Sequence, residues 1–224
     1  MTLENNGLGA EVRRVVREDG LRSLFAKAAY VTWRCLFRHI KSYIYQLDLR
    51  KRLPEIEVPV RLAYRMAHEV DIVNLHGEKY DYDEGAKEYL TKRMKQGDRC
   101  ILASLSDQVV GYMWIMKGAM ELSQDRLVSL SEEKAYTYKN FVIGELRGRR
   151  VLAGLDQFAI NLLRSEGVDF IITTVDHDNL SAITARKRIG FEKIGVINHY
   201  RVFGCSVDRV QRDTLKHLQT PTIS

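Results

Sequence analysis

The sequence predicts an α/β chain of the α+β type: a mixed, mostly antiparallel twisted sheet flanked by helices, with a helical extension at its N-terminus. Three observations carry this. Stretches with strand alternation and stretches with helical periodicity follow one another, yet adjacent strands occur towards both ends, which a purely parallel sheet would not show. The 224 residues, 45% of them hydrophobic, suffice for one packed domain with an appendage. The charge is also unevenly placed. Thirty-five Lys and Arg against 29 Asp and Glu give +6 overall. Up to Arg52 there are eleven basic residues (Arg13, Arg14, Arg17, Arg22, Lys27, Arg34, Arg38, Lys41, Arg50, Lys51, Arg52) and five acidic ones (Glu4, Glu11, Glu18, Asp19, Asp48), and the rest of the chain balances 24 against 24. The expected organisation is therefore a basic amphipathic extension over residues 1–52, a neutral body over 53–210 and a C-terminal tail over 211–224.

Composition excludes several classes. Cys35, Cys100 and Cys205 are odd in number and widely spaced, so neither a disulfide framework nor a metal site is indicated, and a reducing, cytoplasmic compartment is expected. The first twenty residues lack the order of a secretory signal. Charges at Arg22, Lys27, Arg34, Arg38 and Lys41 interrupt the only long apolar candidate for a membrane span. A body of zero net charge argues against nucleic acid as a partner.

The extension reads as a helix over residues 21–43. Leu21, Leu24, Phe25, Ala28, Val31, Cys35, Leu36 and His39 recur at three- and four-residue steps, with Lys27, Arg34, Arg38 and Lys41 opposite. His39 is expected to be a packing histidine on the apolar stripe. Such a helix suits an anionic membrane surface or an acidic acyl carrier protein, or else caps the body with a solvated basic face.

Within the body, Ile56, Val58, Val60 and Leu62 alternate as a strand over 55–63. Helices are expected over 66–75 and 83–95, the second ending before Gly97. Strands follow over 100–105 and 109–116, joined by a turn at Ser106, Asp107 and Gln108. Residues 117–134 are polar and weakly patterned, which predicts a loop. A strand over 136–143, a helix over 149–165, an apolar strand over 168–175, a helix over 179–189 and one or two strands over 191–203 complete the body.

The chemistry-bearing stretch is Val142-Ile143-Gly144-Glu145-Leu146-Arg147-Gly148-Arg149-Arg150-Val151-Leu152, between a strand and a helix. A helix start leaves backbone N–H groups unpaired with the positive end of the dipole behind them, so it suits phosphate, and the three arginines add charge there. One helix and one strand later comes Asn179-Leu180-Ser181-Ala182-Ile183-Thr184-Ala185-Arg186-Lys187-Arg188-Ile189-Gly190-Phe191. Together the two segments resemble the GNAT superfamily of acyl-CoA-dependent N-acyltransferases, over roughly residues 55–204. In that family an Arg/Gln-x-x-Gly-x-Gly/Ala turn wraps the CoA pyrophosphate and a later segment reads Asn-x-x-Ala, then an aromatic, then Gly-Phe. Arg150 and Leu152 stand here where the family has glycine or a small residue. Arg186 stands where many members have the tyrosine that protonates the departing thiolate.

The resemblance implies acetyl-CoA or another acyl-CoA as cofactor, held by Val142, Arg147, Gly148, Arg149, Arg150, Val151, Leu152, Asn179, Ala182 and Arg186. It implies direct attack of an amine on the thioester within a ternary complex, with the backbone N–H near Val142 facing the carbonyl. A guanidinium at Arg186 could not donate the proton but could stabilise a thiolate. Tyr136, Tyr138 and His177 are the candidate catalytic residues. Tyr136 lies six residues before Val142 on the same side of an ideal strand, and Tyr138 and Asn140 share that face. His177 ends the apolar strand between two aspartates, with an imidazole suited to a base. His199 and Tyr200 form a further candidate acid pair.

The leading reading is an N-acyltransferase, most simply an N-acetyltransferase, acting on a small-molecule amine acceptor, with a homodimer as a candidate assembly. The alternatives are an acyltransferase taking a long-chain acyl-CoA or acyl carrier protein as a peripheral membrane protein, and a GNAT-like binding module without catalysis.

Overall fold

In the computed structural model, which describes residues 37–54, 57–58, 61–75, 80, 84–123, 126–203 and 205–220, two neighbouring strands carry the longest buried apolar run. They are β3 (Arg99–Leu105) and β4 (Gln108–Lys117), and β4 is buried without a break from Val110 to Met116. Burial on both faces explains why these segments are uniformly apolar rather than alternating. Ser106 and Asp107 both take positive φ (49° and 65°), as a two-residue hairpin turn between twisted strands requires.

The chain forms two compact units, Lys41–Ile197 with Val210–Ser224, and Met1–Ile40 with Asn198–Arg209. In chain order the remaining elements are β1 (Phe37–Asp48), β2 (Ala63–Met66), α1 (Glu69–Asn74), α2 (Glu84–Lys95), β5 (Ala119–Ser123), β6 (Arg126–Ser129) and β7 (Lys134–Val142). A short 3-10 turn (Gly144–Leu146) follows, then α3 (Val151–Ser165), β8 (Phe170–Asp176), α4 (Leu180–Ile189), β9 (Glu192–Val202), β10 (Cys205–Val210) and α5 (Arg212–Gln219). Within the larger unit the strand order is β9-β1-β8-β7-β4-β3-β2. The pairs β1/β8, β2/β3, β3/β4 and β4/β7 are antiparallel, and β7/β8 is parallel. The mixed, mostly antiparallel sheet expected from the sequence is thus present.

Each face of this sheet builds a core. On one, Val151, Leu155, Ala159, Ile160 and Leu163 of α3 and Ile189 of α4 pack on Ile101, Met113, Ile115 and Ile171. On the other, Ile72 of α1, Leu90 of α2, Met120 and Val128 of the β5/β6 hairpin and Leu218 of α5 pack on Leu102, Trp114, Tyr136 and Ile172.

Four expectations are corrected. Residues 37–43 are strand, not the last turns of a helix, and residues 1–36 lie outside the described part. Tyr43, Ile44, Tyr45 and Leu47 are aromatic or branched and alternate between two buried faces, which outweighs the three- and four-residue spacing that reads as helix. The body therefore begins before residue 53. Second, of the strand expected over 55–63, residues 55–56 and 59–60 lie outside the described part, and the described strand that pairs with β3 is Ala63–Met66. Third, residues 117–134 contain the hairpin β5/β6, whose Met120, Leu122 and Val128 are buried and whose Arg126 and Ser129 are exposed. Fourth, the expected tail folds as α5. It is pinned by the fully buried Lys134, whose Nζ donates to the carbonyls of His217 and Thr220 at 2.7 Å each.

In the smaller unit His39 lies on a strand and is exposed. It stacks on Tyr200 at 4.7 Å and shares a hydrogen bond with Asn198, so it is not the packing histidine of an apolar stripe. His199 Nδ1 is held by Asp208 at 2.7 Å.

Candidate functional site

The parallel ladder between β7 and β8 runs from Lys134↔Phe170 to Thr137↔Thr173 and stops there. Both strands continue. β7 stays paired with β4 as far as Gly111↔Val142, and β8 stays paired with β1 as far as Ser42↔Asp176. Each strand therefore keeps its outer neighbour while the inner edges part, leaving backbone donors and acceptors inside the sheet without a strand partner.

The split coincides with an irregularity in β7. Tyr112↔Phe141 and Trp114↔Tyr138 are paired, so Lys139 and Asn140 together oppose the single residue Met113. That is a β-bulge, and Lys139 takes the positive φ of 44° that such an insertion imposes. The bulge resets the alternation. Tyr136, Tyr138 and Phe141 face the core of α1, α2 and the hairpin. Asn140, with its amide oriented to satisfy both partners, faces α3 and α4: its oxygen accepts from Arg186 Nη2 at 2.6 Å and its nitrogen donates to the Tyr138 carbonyl at 3.1 Å. Two expectations from ideal alternation are thereby corrected: Asn140 does not share the face of Tyr138, and Val142 packs on the α3 face, away from Tyr136.

Beyond Val142 the chain makes the Arg-rich turn. Arg147, Gly148, Arg149 and Arg150 are exposed, and Gly148 (φ 78°) and Arg150 (φ 60°) are both left-handed. Arg150 is the N-cap of α3, whose ladder opens with Gly154 N–H on the Arg150 carbonyl. The N–H groups of Val151, Leu152 and Ala153 precede that first bond. Arg147 Nε donates to the Val142 carbonyl at 3.2 Å, and Arg150 Nη1 donates to the Glu57 carbonyl at 3.2 Å. Leu152, in the first turn of α3, packs its side chain against the core, and a Cβ added at Gly148 would meet nothing within 4 Å. The turn is open, cationic and lined by backbone donors, as a pyrophosphate requires.

Asn179 and Ala182 make a local pair. Asn179 is the N-cap of α4, its side-chain oxygen accepting from Ala182 N–H at 3.1 Å and from Ser181 Oγ at 2.9 Å. At the far end Gly190, left-handed at φ 103°, closes the helix. The spacing from Asn179 to Gly190 thus encodes the two ends of α4.

Arg186 departs from its expected place among the phosphate ligands. It lies in the last turn of α4, 2% exposed, in an ion pair with Asp156 of α3, and its guanidinium stands 5.2 Å from the Phe191 ring. Lys187 and Arg188 share that last turn, where positive charge complements the negative end of the helix dipole rather than a ligand at its start. His177 is also set apart. It is exposed at the end of β8, five residues past the Ile172 that pairs with Tyr136, or about 17 Å along the strand.

Tyr136 and Tyr138 stack at 5.6 Å, and burial pushes both phenols well above the usual tyrosine value. Tyr136 shares a hydrogen bond of 2.8 Å with Thr174 Oγ1, next to the branch point, and Tyr138 donates to Asp98 Oδ2 at 2.5 Å. Asp98 in turn accepts from Arg93 Nε at 2.9 Å. The same face carries Glu121 of β5, which accepts from Tyr89 at 3.0 Å. Burial holds the Glu121 carboxyl above the usual carboxylate value, while the Tyr89 hydrogen bond and the charges of Arg93 and Lys139 offset part of that. The Tyr89 phenol is pushed up to about 12, by burial first and then by Glu121. Sequence reasoning missed Glu121, Tyr89, Arg93 and Asp98, because residues 117–134 show no clean period and the other three lie on or just beyond a helix read only for its boundaries.

No protein-family model matches the chain, and no curated protein matches it in sequence. Solved structures do. A GNAT-family acetyltransferase from Colwellia psychrerythraea superposes with a TM-score of 0.55 at 14% identity, covering 74% of this chain and 57% of its own. A GCN5-related N-acetyltransferase from Sphaerobacter thermophilus gives 0.52 at 15%, covering 83% and 56%. A Drosophila protein gives 0.51 at 15%, covering 82% and 58%. The chain spans a little over half the length of each. The fold they share with it is the GNAT fold.

Proposed function

We propose that this chain, which carries the GNAT fold, is an acyl-CoA-dependent N-acyltransferase, with acetyl-CoA its simplest donor and a primary amine its acceptor. The observation that carries the proposal is the split of β7 from β8 at Thr137/Thr173, with the Arg-rich start of α3 at its outer end. A linear donor with phosphates at one end and a thioester at the other matches a slot that has cationic turn residues at its mouth and, inside, strand edges that β7 and β8 do not pair with each other. Arg147, Arg149 and Arg150 would hold the phosphates with the N–H groups of Val151, Leu152 and Ala153. The amides of the pantetheine arm would bond to the inner edge of β7 past Tyr138, as an added strand does. Bound donor supplies an activated acyl carbon and a thiol leaving group.

On the acceptor side, Glu121 is the best-placed base. Its carboxyl is half-buried on the face of the stacked tyrosines, accepts from Tyr89, and is raised by burial. A base whose pKa approaches the working pH moves a proton most effectively. The stacked tyrosines line the same face as positioning groups, since phenols held so high stay protonated. The basic excess of residues 1–52 supports an anionic surface or an acidic acyl carrier protein as a docking partner.

The test is a free-thiol release assay over a panel of amines and acyl-CoA chain lengths. Amine-dependent thiol release that Glu121→Gln suppresses supports the reading. CoA binding without release for any amine or acyl length would favour the binding-module alternative.

A further inference from the structure

In the smaller unit, β9 ends at Val202 and β10 begins at Cys205, so two residues, Phe203 and Gly204, join them. Phe203 takes φ 49°, a left-handed position for which two-residue hairpin turns select asparagine, aspartate or glycine and at which a bulky side chain is an outlier. Its ring is nevertheless shown to solvent. Phe203 is 66% exposed, Val207 51% and Val202 37%, and none of the three belongs to either core. A strained position that displays an apolar ring outward serves neither the turn nor the core, and such a conflict marks a functional surface.

Positive charge surrounds this tip. Arg201 is exposed two residues from Phe203, about 7 Å along the strand. The Arg209 guanidinium stands 5.9 Å from the Tyr200 ring, which puts Val207 and Arg209 of β10 on the face of Tyr200 and Val202. The one carboxylate of Asn198–Arg209, Asp208, is engaged by His199 on the other face. The unit as a whole has nine basic and five acidic residues, +4 of the chain's +6.

We propose that the tip of the β9/β10 hairpin docks this chain on an anionic membrane surface: Phe203, flanked by Val202 and Val207, enters the boundary of the acyl chains, and Arg201 meets the lipid phosphates. Arg209 and the other basic residues of the unit add attraction over a Debye length. The inference rests on the docking reading above and selects a lipid surface from it. An apolar tip among cations is matched by acyl chains beneath a layer of phosphates, whereas an acidic carrier protein offers carboxylates and no apolar layer to enter.

The test is co-sedimentation of the full chain with vesicles of phosphatidylcholine alone and of equal parts phosphatidylcholine and phosphatidylserine. Binding is expected to the anionic vesicles and should fall as salt is raised. Phe203→Asn places a residue that the left-handed position favours, so the melting temperature should hold or rise while vesicle affinity falls about tenfold or more. Phe203→Trp should keep the binding, and its fluorescence should be quenched by lipids with brominated acyl chains more strongly than that of the unaltered chain. Arg201→Gln should cost about fivefold on the anionic vesicles. Unchanged vesicle binding in Phe203→Asn overturns the proposal and leaves the basic N-terminal segment as the docking element. An unaltered chain that ignores the anionic vesicles overturns the proposal together with the lipid-surface reading. A concentration-dependent dimer that Phe203→Asn dissolves without touching vesicle binding assigns the tip to a second copy of the chain and also overturns it. Acyl transfer is read separately by thiol release, so each of these outcomes leaves it standing.

Discussion

Arg150 occupies a left-handed backbone position that a side chain makes costly by roughly 1–2 kcal/mol and that glycine takes freely. That is the physical sense of the glycine found there in the motif the turn resembles. Arg150→Gly should therefore raise the melting temperature by a few degrees, reduced by the loss of the bond to the Glu57 carbonyl, and scanning calorimetry would show it. Glu121 gives a pH prediction. Its raised carboxyl must be ionised to accept a proton, so activity should rise through an acid limb placed above the ordinary glutamate value near 4.3, and Glu121→Gln should remove that limb with a loss of about 10²-fold or more. A limb at the ordinary value, or one that persists in the variant, would contradict the assignment. Asn179, Ala182 and Gly190 were legible in the sequence because caps are local chemistry. The pairing of Asp156 with Arg186 was not, since nothing in a spacing of thirty residues says that two helices bring the two charges together.

At the scale of elements, the bulge in β7 decides which side chains share a face. Removing Lys139 would leave Asn140 alone opposite Met113, still on the α3/α4 face, and take out the bulge that coincides with the split. The expected outcome is a stable chain whose CoA binding is lost, read by calorimetry beside a circular-dichroism melt. Helix α5 poses a different question. Lys134 closes its C-terminal carbonyls from a fully buried position, and Lys134→Met should cost about 1–3 kcal/mol by leaving them unpaired. Denaturant unfolding should shift to a lower midpoint with amine-dependent activity intact at low temperature. The strands β3 and β4 and the helices α2, α3 and α4 were all readable, since long runs with one period or clear stops leave little choice. β1 was misread because three- and four-residue spacing of its apolar residues overlaps with strand alternation until a pairing partner is known. The bulge was invisible because an extra residue in a strand leaves no mark on its composition.

For the whole molecule, the position of residues 41–48 of β1 between β8 and β9 means that the sheet-forming body starts before residue 52. Charge alone suggested a boundary at residue 52, but residues 41–48 complete the sheet, and β8 keeps its outer neighbour at the split only through them. Tests of the basic segment should therefore replace Arg13, Arg14, Arg17 and Arg22 by Gln rather than delete it. Weaker binding to anionic vesicles or to an acyl carrier protein is expected, with thermal stability unchanged. The +6 is thus a property of a chain whose neutral part carries its own local charge at the Arg-rich turn.

The central claim is that the split sheet and this turn bind an acyl-CoA. Calorimetric titration of the full chain with CoA and acetyl-CoA tests it most directly. The account predicts micromolar binding that weakens about tenfold in Arg147→Ala, the loss of one charge-assisted contact to phosphate. Absence of binding at millimolar ligand, or affinity indifferent to Arg147, would contradict it.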